Sequence, residues 1–354
     1  MNDHIIKYLR WEYENIFEDG TGKMKVSWGK VHEYLGMTLD YRVPGQVSIT
    51  MFDYAEEILA AFKKAEPKSS GTKSSAAPQD LFKVDEDCNE LDQDKAVAFH
   101  NLTAKMLHAT KHARPDTCTV VAFLTVRVRE PDEDDWRKLC HLMMCVRGTR
   151  GLILRLSADG NGILKWWIDA SFAVHPNMRG HSGGGLSLGR GFPIMSSTKQ
   201  KLNMCSSTET EIAGMDDFMP AVCWTCCFVE AQGCNMVDNI AAQDNKASML
   251  LKNNGKALSS KQTKHINICY FFVTERVTKR ELRVEWCLTA EMIGDCMTKP
   301  LQGALFQKFH DLVMGVHPAW DVNTAKSKKA SLMPSISHEW HNRSMLEQKD
   351  EHTR

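Results

Sequence analysis

The sequence predicts an α/β fold, α+β over the whole chain. A mixed five-stranded sheet with flanking helices is expected over residues 160–315, preceded by a smaller mixed region and a helical segment. Three observations predict it. Strand-like runs separated by glycines begin at Gly162. A long helix-like run follows at Ser206 to Gln232. Strands then alternate with helices as far as Met314, the order that builds a sheet covered by helices. The 354 residues suit about two domains. With 43% hydrophobic and 25% charged residues, the composition excludes a wholly disordered or collagen-like chain.

Residues 1–65 read as helix, hairpin and helix. Lys23 to Trp28 and Val47 to Met51 are strand-like, and Pro44-Gly45 is a turn signal. Tyr54, Ile58, Leu59 and Phe62 recur at helical spacing. Residues 66–94 turn Ser/Pro-rich and then acidic, from Asp80 to Asp94, and read as a solvated linker. Within residues 95–158, three helical patterns follow: Lys95 to His112, Asp116 to Val128, and Glu133 to Arg147. Pro131 stops the second and Gly148 the third. The sheet region supplies strands at Ile163 to Ala170, Gly184 to Leu188 and Phe192 to Met195. After the long helix come a strand at Val237 to Gln243, helices at Lys246 to Lys252 and Lys264 to Val277, and a strand at Leu282 to Cys287. Residues 316–354 lack periodicity and are expected to be disordered.

No run approaches the ~20 consecutive apolar residues of a membrane span, and Asp3, His4 and Lys7 in the first helix-like run are unlike a signal peptide. A cytoplasmic protein without a membrane partner is therefore expected, with the nucleus as the other compartment. The twelve cysteines are scattered, which fits reduced thiols. Cys223-Trp224-Thr225-Cys226 is a CxxC pair, but no second pair completes a zinc set, so these thiols are expected in the core. Net charge is zero, from 44 basic and 44 acidic residues, which excludes a broadly basic nucleic-acid binder. The balance is segmental, however. Ala170 to Thr208 and Asn245 to Thr274 carry Lys and Arg but no acid, and local, salt-sensitive binding is expected there.

Those two segments border a set of carboxylates. Asp169 follows the bulky strand Lys165-Trp166-Trp167-Ile168, where a carboxylate needs a partner or a metal. Asp244 ends a second strand, Glu211 lies in the first turns of the long helix, and Asp295 sits in a short late helix. Four acids from separate elements can converge as hard oxygen ligands for Mg²⁺. Three of them also have a plain structural reading: helix cap for Asp244, dipole complement for Glu211, surface acid for Asp295.

Six runs occur in order over about 135 residues: Trp167-Ile168-Asp169-Ala170-Ser171-Phe172-Ala173, Ser197-Thr198-Lys199-Gln200, Ser206-Ser207-Thr208-Glu209-Thr210-Glu211, Gln243-Asp244-Asn245, Thr263-Lys264-His265-Ile266 and Gly294-Asp295-Cys296-Met297-Thr298-Lys299-Pro300-Leu301. Together they resemble the ribonuclease H domain that closes the polyprotein of copia-type LTR retrotransposons. Upstream, Gly29 to Met37 and Ala113-Arg114-Pro115-Asp116 resemble the reverse transcriptase after its polymerase site. The resemblance implies a palm remnant in residues 1–65, a thumb- or connection-like helical segment in 95–158 and a ribonuclease H-like domain in 160–315.

It further implies that Asp169, Glu211, Asp244 and Asp295 are both the catalytic residues and the ligands of two Mg²⁺ ions, with Mn²⁺ as a substitute. Glu211 is preferred to Glu209 because Glu-Ile-Ala fits the family's acid, apolar, small pattern. The implied reaction is hydrolysis of the RNA strand of an RNA/DNA hybrid. Lys199, Lys201, Ser206, Asn245, Lys246, Lys261, Lys264 and His265 are the expected nucleic-acid contacts. No Tyr-x-Asp-Asp run is present, so polymerase activity is not expected, and a complete reverse transcriptase of a related element is a candidate partner. In an active element the location would be a virus-like particle. Lys246, Gly294 and Cys269 depart from the usual residues, the glycine at a cost of ~1 kcal/mol if it lies inside a helix. The Trp166-Trp167 pair is expected to form core on one face and cleft rim on the other. Two other readings remain: an inactive relic or nucleic-acid-binding fragment, and a DDE integrase-like nuclease using Asp169, Asp244 and Glu281.

Overall fold

A computed structural model describes residues 2–14, 24–66, 70–72, 74–245 and 272–317. It contains the expected mixed sheet. Strands β5 (Ile163–Ser171), β6 (His181–Ser187), β8 (Ile194–Lys199), β9 (Asp238–Gln243) and β10 (Arg283–Trp286) lie in the order β10-β9-β5-β6-β8. The β5-β6 and β6-β8 pairs are antiparallel; β5-β9 and β9-β10 are parallel. This order and direction match the ribonuclease H-like arrangement that the motifs imply. The long helix α6 (Ser207–Ala231) covers one face, and the short helix Asp295–Thr298 with the helix Gly303–Val313 covers the other.

Strand β5 is central because its side chains are apolar on both sides. Leu164, Trp166 and Ile168 pack under α6, while Trp167 packs against Phe192, Met297 and Phe309 on the opposite face. Both tryptophans are fully buried, so neither forms the cleft rim expected from sequence. Among the described residues α6 is long and apolar enough to cross a bilayer, but it carries Glu211, Asp216 and Asp217 and buries Met215, Phe218, Met219 and Val222 against the sheet.

The upstream region holds α1 (Asn2–Tyr13), β1 (Val31–Tyr34), β2 (Met37–Asp40), β3 (Gln46–Thr50) and α2 (Phe52–Ala65). The expected strand at Lys23 to Trp28 is not formed at its described residues, 24–28. Instead the Gly29 to Met37 run makes the β1-β2 hairpin. The three expected helices are α3 (Gln93–His112), α4 (Cys118–Arg127) and α5 (Glu133–Gly148). Two further features differ from the sequence reading. Leu154–Ala158, placed in the helical segment, is a strand (β4), and it pairs with β3 and with the two-residue strand β7 (Gly189–Arg190) of the downstream region. In addition, residues 66–94 are not simply solvated: Ala76, Ala77 and Leu81 are buried in the core of α2 to α5, and Asp80 pairs with Arg137. Two adjacent alanines and a leucine, with Phe82, Val84 and Leu91 packed beside them, give no periodic signal, which is why that packing is invisible in the sequence.

The helical segment is joined to the sheet through specific contacts. The Thr119 hydroxyl donates to the Cys296 carbonyl at 2.6 Å. Phe82 packs edge-on against His175 and tilted against His181, and Phe123 stacks on His175. His175 Nε2 meets His181 Nδ1 at 3.0 Å, and His181 Nε2 meets Ser197 Oγ at 2.6 Å. The Ser197 hydroxyl in turn donates to the Met297 carbonyl, so Ser197 Oγ accepts from His181 and the relay runs from His175 toward the Asp295 helix. Burial, with Lys199 adding to it, lowers the His175 pKa to about 4; burial, then His175 and Lys199, lowers that of His181 to about 3. Because the folded values lie below the unfolded value of about 6.5, the unfolded chain binds more protons as acid is added. Their contribution is fully present above pH ~6.5 and falls between there and pH ~3, each histidine adding at most about 1.4 kcal/mol per pH unit. Urea unfolding from pH 7.5 to 5 is expected to show this slope and His175→Phe to flatten it; an unchanged slope in the variant would disprove the assignment.

The predicted helix Lys246 to Lys252 and most of the tail lie outside the described residues. So do Lys246, Lys261, Lys264, His265 and Cys269. Of the predicted helix Lys264 to Val277, the described part is helical at 272–278.

Candidate metal centre

Asp169 lies near the end of the central strand, where β5 pairs with β6, and it stands directly opposite Gly183. The face it occupies is the one covered by the helix Asp295–Thr298. A Cβ on Gly183 would sit 2.7 Å from both Met297 Cβ and Thr298 Cγ2, so only glycine lets that helix approach. On the other face a Cβ on Gly214 would lie 2.9 Å from Ala170 Cβ. That close approach seats α6 on β5 one turn after Glu211. Gly183→Val is therefore expected to destabilise the chain by about 1–3 kcal/mol or more through overpacking, read as a lower melting temperature.

The start of α6 separates the two candidate glutamates. Ser206 is the N-cap: its Oγ accepts from the Glu209 amide at 3.2 Å, and the Glu209 carboxylate accepts from the Cys205 amide at 2.7 Å. Glu209 thus serves the helix end, and the Ser206 oxygen expected to meet nucleic acid is engaged in the cap. Glu211, two residues on, turns toward Asp169 and is buried. Asp244 follows β9, which runs parallel to β5, so both strands deliver a carboxylate to the same end of the sheet. The ligand oxygens of Asp169, Glu211 and Asp244 all lie within 4.8 Å of one another. Octahedral Mg²⁺ spaces its oxygens by roughly 3–4 Å, so small side-chain rotations bring the three onto one ion, and the donor set suits a hard cation.

Asp295 is close by but outside this trio. The Lys299 ammonium lies between: 2.6 Å from Asp295 Oδ1 and 3.5 Å from Asp169 Oδ2. Burial, then the neighbouring charge of Asp169, pushes the Asp295 carboxyl up to about 6. Burial, then Asp169, also raises Asp244. Burial alone would lower Lys299, but Asp169 and Asp295 outweigh it and hold its pKa above the usual lysine value.

Three neighbours without an assigned role in the sequence reading orient the acids. The Thr298 hydroxyl donates to Asp169 Oδ2. Thr289 Oγ1 donates to Asp244 Oδ2 at 3.1 Å. Gln243, fully buried, donates from Nε2 to Glu211 Oε2 at 3.3 Å, and its Oε1 accepts from the amides of Asp244 and Asn245 at 2.9 and 3.2 Å. Gln243, Thr298 and Lys299 lay within the motif runs, so their presence was legible although their contacts were not; Thr289 gave no signal.

The acids open into a cleft of about 700 Å³ lined by Asp169, Ser171, Phe172, Val174, Glu211, Asp244, Asn245 and Lys299. Asn245 is thus at the site. Lys199 lies level with His181 and Ser171, two strands from β5 and so about 10 Å from it at the same sheet end; Lys201 follows, exposed. Gly294 is the N-cap of the short helix rather than an interior residue, so the helix-interior cost does not apply. A Cβ there would crowd Asp169 Cβ at 3.0 Å. The DDE arrangement is not formed. Glu281 precedes β10 and its carbonyl accepts from Asn239 Nδ2, which sets it near the start of β9, about 20 Å along the strand direction from Asp244. The CxxC thiols sit at the edge of the core: Cys223 and Cys226 are half-buried and packed against the apolar cluster under α6, while Cys227 and Cys234 are exposed. The group of three acids, not the cysteines, is what can hold a metal among the described residues.

No protein-family model matches the chain. By sequence it is similar to the retrovirus-related Pol polyprotein from transposon TNT 1-94 of Nicotiana tabacum, 25% identical over 297 residues, which cover 82% of this chain and 22% of that protein. It is also similar to the Pol polyproteins from transposons RE2 and RE1 of Arabidopsis thaliana, each 28% identical over 201 residues, covering 55% of this chain and 14% and 13% of theirs. The chain spans less than a quarter of the length of each of these relatives. The proteins it is similar to are thus retrotransposon Pol polyproteins, as the ordered motifs imply. Among solved structures it is similar to the N-terminal RNase H domain of rv2228c from Mycobacterium tuberculosis, fused to maltose-binding protein, at 10% identity, covering 38% of this chain and 90% of that one with a TM-score of 0.27. It is also similar to a foamy viral protease-reverse transcriptase in complex with double-stranded DNA, at 9% identity, 73% and 38% coverage and a TM-score of 0.38.

Proposed function

We propose that this chain is the end of the reverse transcriptase plus the ribonuclease H domain of a copia-type retrotransposon polyprotein and hydrolyses the RNA strand of RNA/DNA hybrids with Mg²⁺, for which Mn²⁺ substitutes. The observation that carries the reading is the convergence of Asp169, Glu211 and Asp244, from a central strand, a covering helix and a parallel strand end, in an open cleft. Divalent ions bound there would supply Lewis acidity to the phosphate and to the attacking water. The remaining work falls to the chain itself. Asp169, Glu211 and Asp244 hold the charge; Thr298, Thr289 and Gln243 fix their orientation. Asn245 offers an amide donor at the cleft edge, and Lys199 and Lys201 offer cations to the duplex backbone at that end of the sheet. On the family resemblance Glu211 would lie near the RNA 2′-hydroxyl, the group that separates RNA from DNA.

The test is a substrate panel: one sequence presented as RNA/DNA hybrid, as double-stranded RNA and as double-stranded DNA, with Mg²⁺. Cleavage confined to the RNA of the hybrid is expected. Equal cutting of double-stranded DNA would replace the reading with a general nuclease, and binding without cutting would make the chain a nucleic-acid-binding relic.

A further inference from the structure

Lys299 is a cation at the acid cleft, and its backbone is held in place. It precedes Pro300, which confines it to extended geometry, here φ −130° and ψ 140°, and its amide donates to the Asp295 carbonyl at 2.8 Å. From that anchor the ammonium contacts Asp295 at 2.6 Å and Asp169 at 3.5 Å, and it lines the same cleft as Glu211 and Asp244. Asp169 is therefore within reach of both the other two members of the trio and an ammonium. Asp295, the fourth acid expected as a ligand, is engaged by Lys299.

We infer that Lys299 takes the place of one of the two cations, so that without nucleic acid the centre binds a single divalent ion on Asp169, Glu211 and Asp244 while the ammonium occupies the side shared by Asp169 and Asp295. This rests on the ribonuclease H reading of the site. The charge count supports it. Four carboxylates carry four negative charges; Lys299 offsets one and one divalent ion two more, leaving a single negative charge to attract a second ion. Without the lysine, the second ion would meet two. At separations of a few ångströms and an effective dielectric near 20, removing the ammonium raises affinity for that ion by about tenfold or more.

The experiment counts Mn²⁺ bound to the full chain at pH 8 without nucleic acid, by electron paramagnetic resonance of the free ion and by calorimetry. The proteins are wild type, Lys299→Met, Lys299→Gln, Lys299→Arg and Asp169→Asn, each checked for folding by thermal melting. Wild type and Lys299→Arg are expected to bind one ion, and Asp169→Asn to lose it. Lys299→Met and Lys299→Gln are expected to bind a second ion about tenfold or more tighter than wild type does. Two ions bound equally by wild type and the neutral variants would overturn the inference and leave the metal centre standing. No ion bound by any of them would overturn both. With two neutral variants, misfolding of either one still leaves the comparison decisive.

Discussion

Asp169→Asn is expected to lower hybrid cleavage by about a thousandfold or more, roughly 4 kcal/mol of transition-state stabilisation, while the chain stays folded. The carboxylate is central to the cleft: it completes the trio with Glu211 and Asp244, accepts from Thr298 and faces Lys299. Asparagine keeps its size and one acceptor oxygen but removes the charge that a divalent ion needs. The stability consequence should be small, because Lys299 keeps Asp295 at 2.6 Å and crowding among the acids is relieved. Rates of RNA-strand cleavage together with melting curves check both halves of the expectation. A variant retaining more than about a tenth of wild-type activity would remove Asp169 from the reaction.

The largest stability effect is expected far from the acids, at Asp116→Ala. Asp116 and Arg114 form a buried fork, Nε to Oδ1 and Nη2 to Oδ2 both at 2.8 Å, with side chains only 2% and 8% exposed. Arg114 also donates to Thr149 Oγ1 at 2.8 Å, so the pair ties the turn between α3 and α4 to the end of α5. His310 of the helix Gly303–Val313 lies 4.0 Å from the same carboxylate, which joins that helix to the arrangement. Removing Asp116 leaves the guanidinium buried without its counter-charge, a loss of about 3–5 kcal/mol. Replacing both partners, as Arg114→Met with Asp116→Leu, is expected to recover most of that, because the penalty lies in the orphaned charge and not in the absent pair. Urea unfolding of the single and double variants measures it; equal losses in both would contradict the account.

How much was legible in the sequence depended on the length and character of each signal. The apolar run through Trp166, Trp167 and Ile168 and the long pattern of α6 announced the central strand and its covering helix, and the four acids followed from their place at the ends of such elements. Of the two glutamates weighed in the sequence, Glu211 lies with Asp169 and Asp244, and the Ser206 cap engages Glu209. What stayed hidden depends on partners distant in the chain. β4 and β7 exist because Leu154–Ala158 finds β3 on one side and Gly189–Arg190 on the other, a pairing no local pattern announces. Residues 66–94 look solvated because their acids outnumber the few apolar side chains that anchor them. Trp166 and Trp167 point to opposite faces, and both faces prove covered, which depends on the helices above and below rather than on the pair itself. Lys299 was visible as a motif residue, but its contact with Asp169 spans 130 positions and required the fold.

The proposed activity of this acid cleft is divalent-metal hydrolysis of RNA paired with DNA. It is tested most directly by incubating the wild-type chain with an end-labelled RNA/DNA hybrid across a Mg²⁺ titration and then with excess chelator. The account predicts that the RNA strand shortens in proportion to Mg²⁺ occupancy, that the DNA strand remains whole and that chelation stops the reaction. An RNA strand left intact at every Mg²⁺ concentration, or cut at the same rate after chelation, would contradict it.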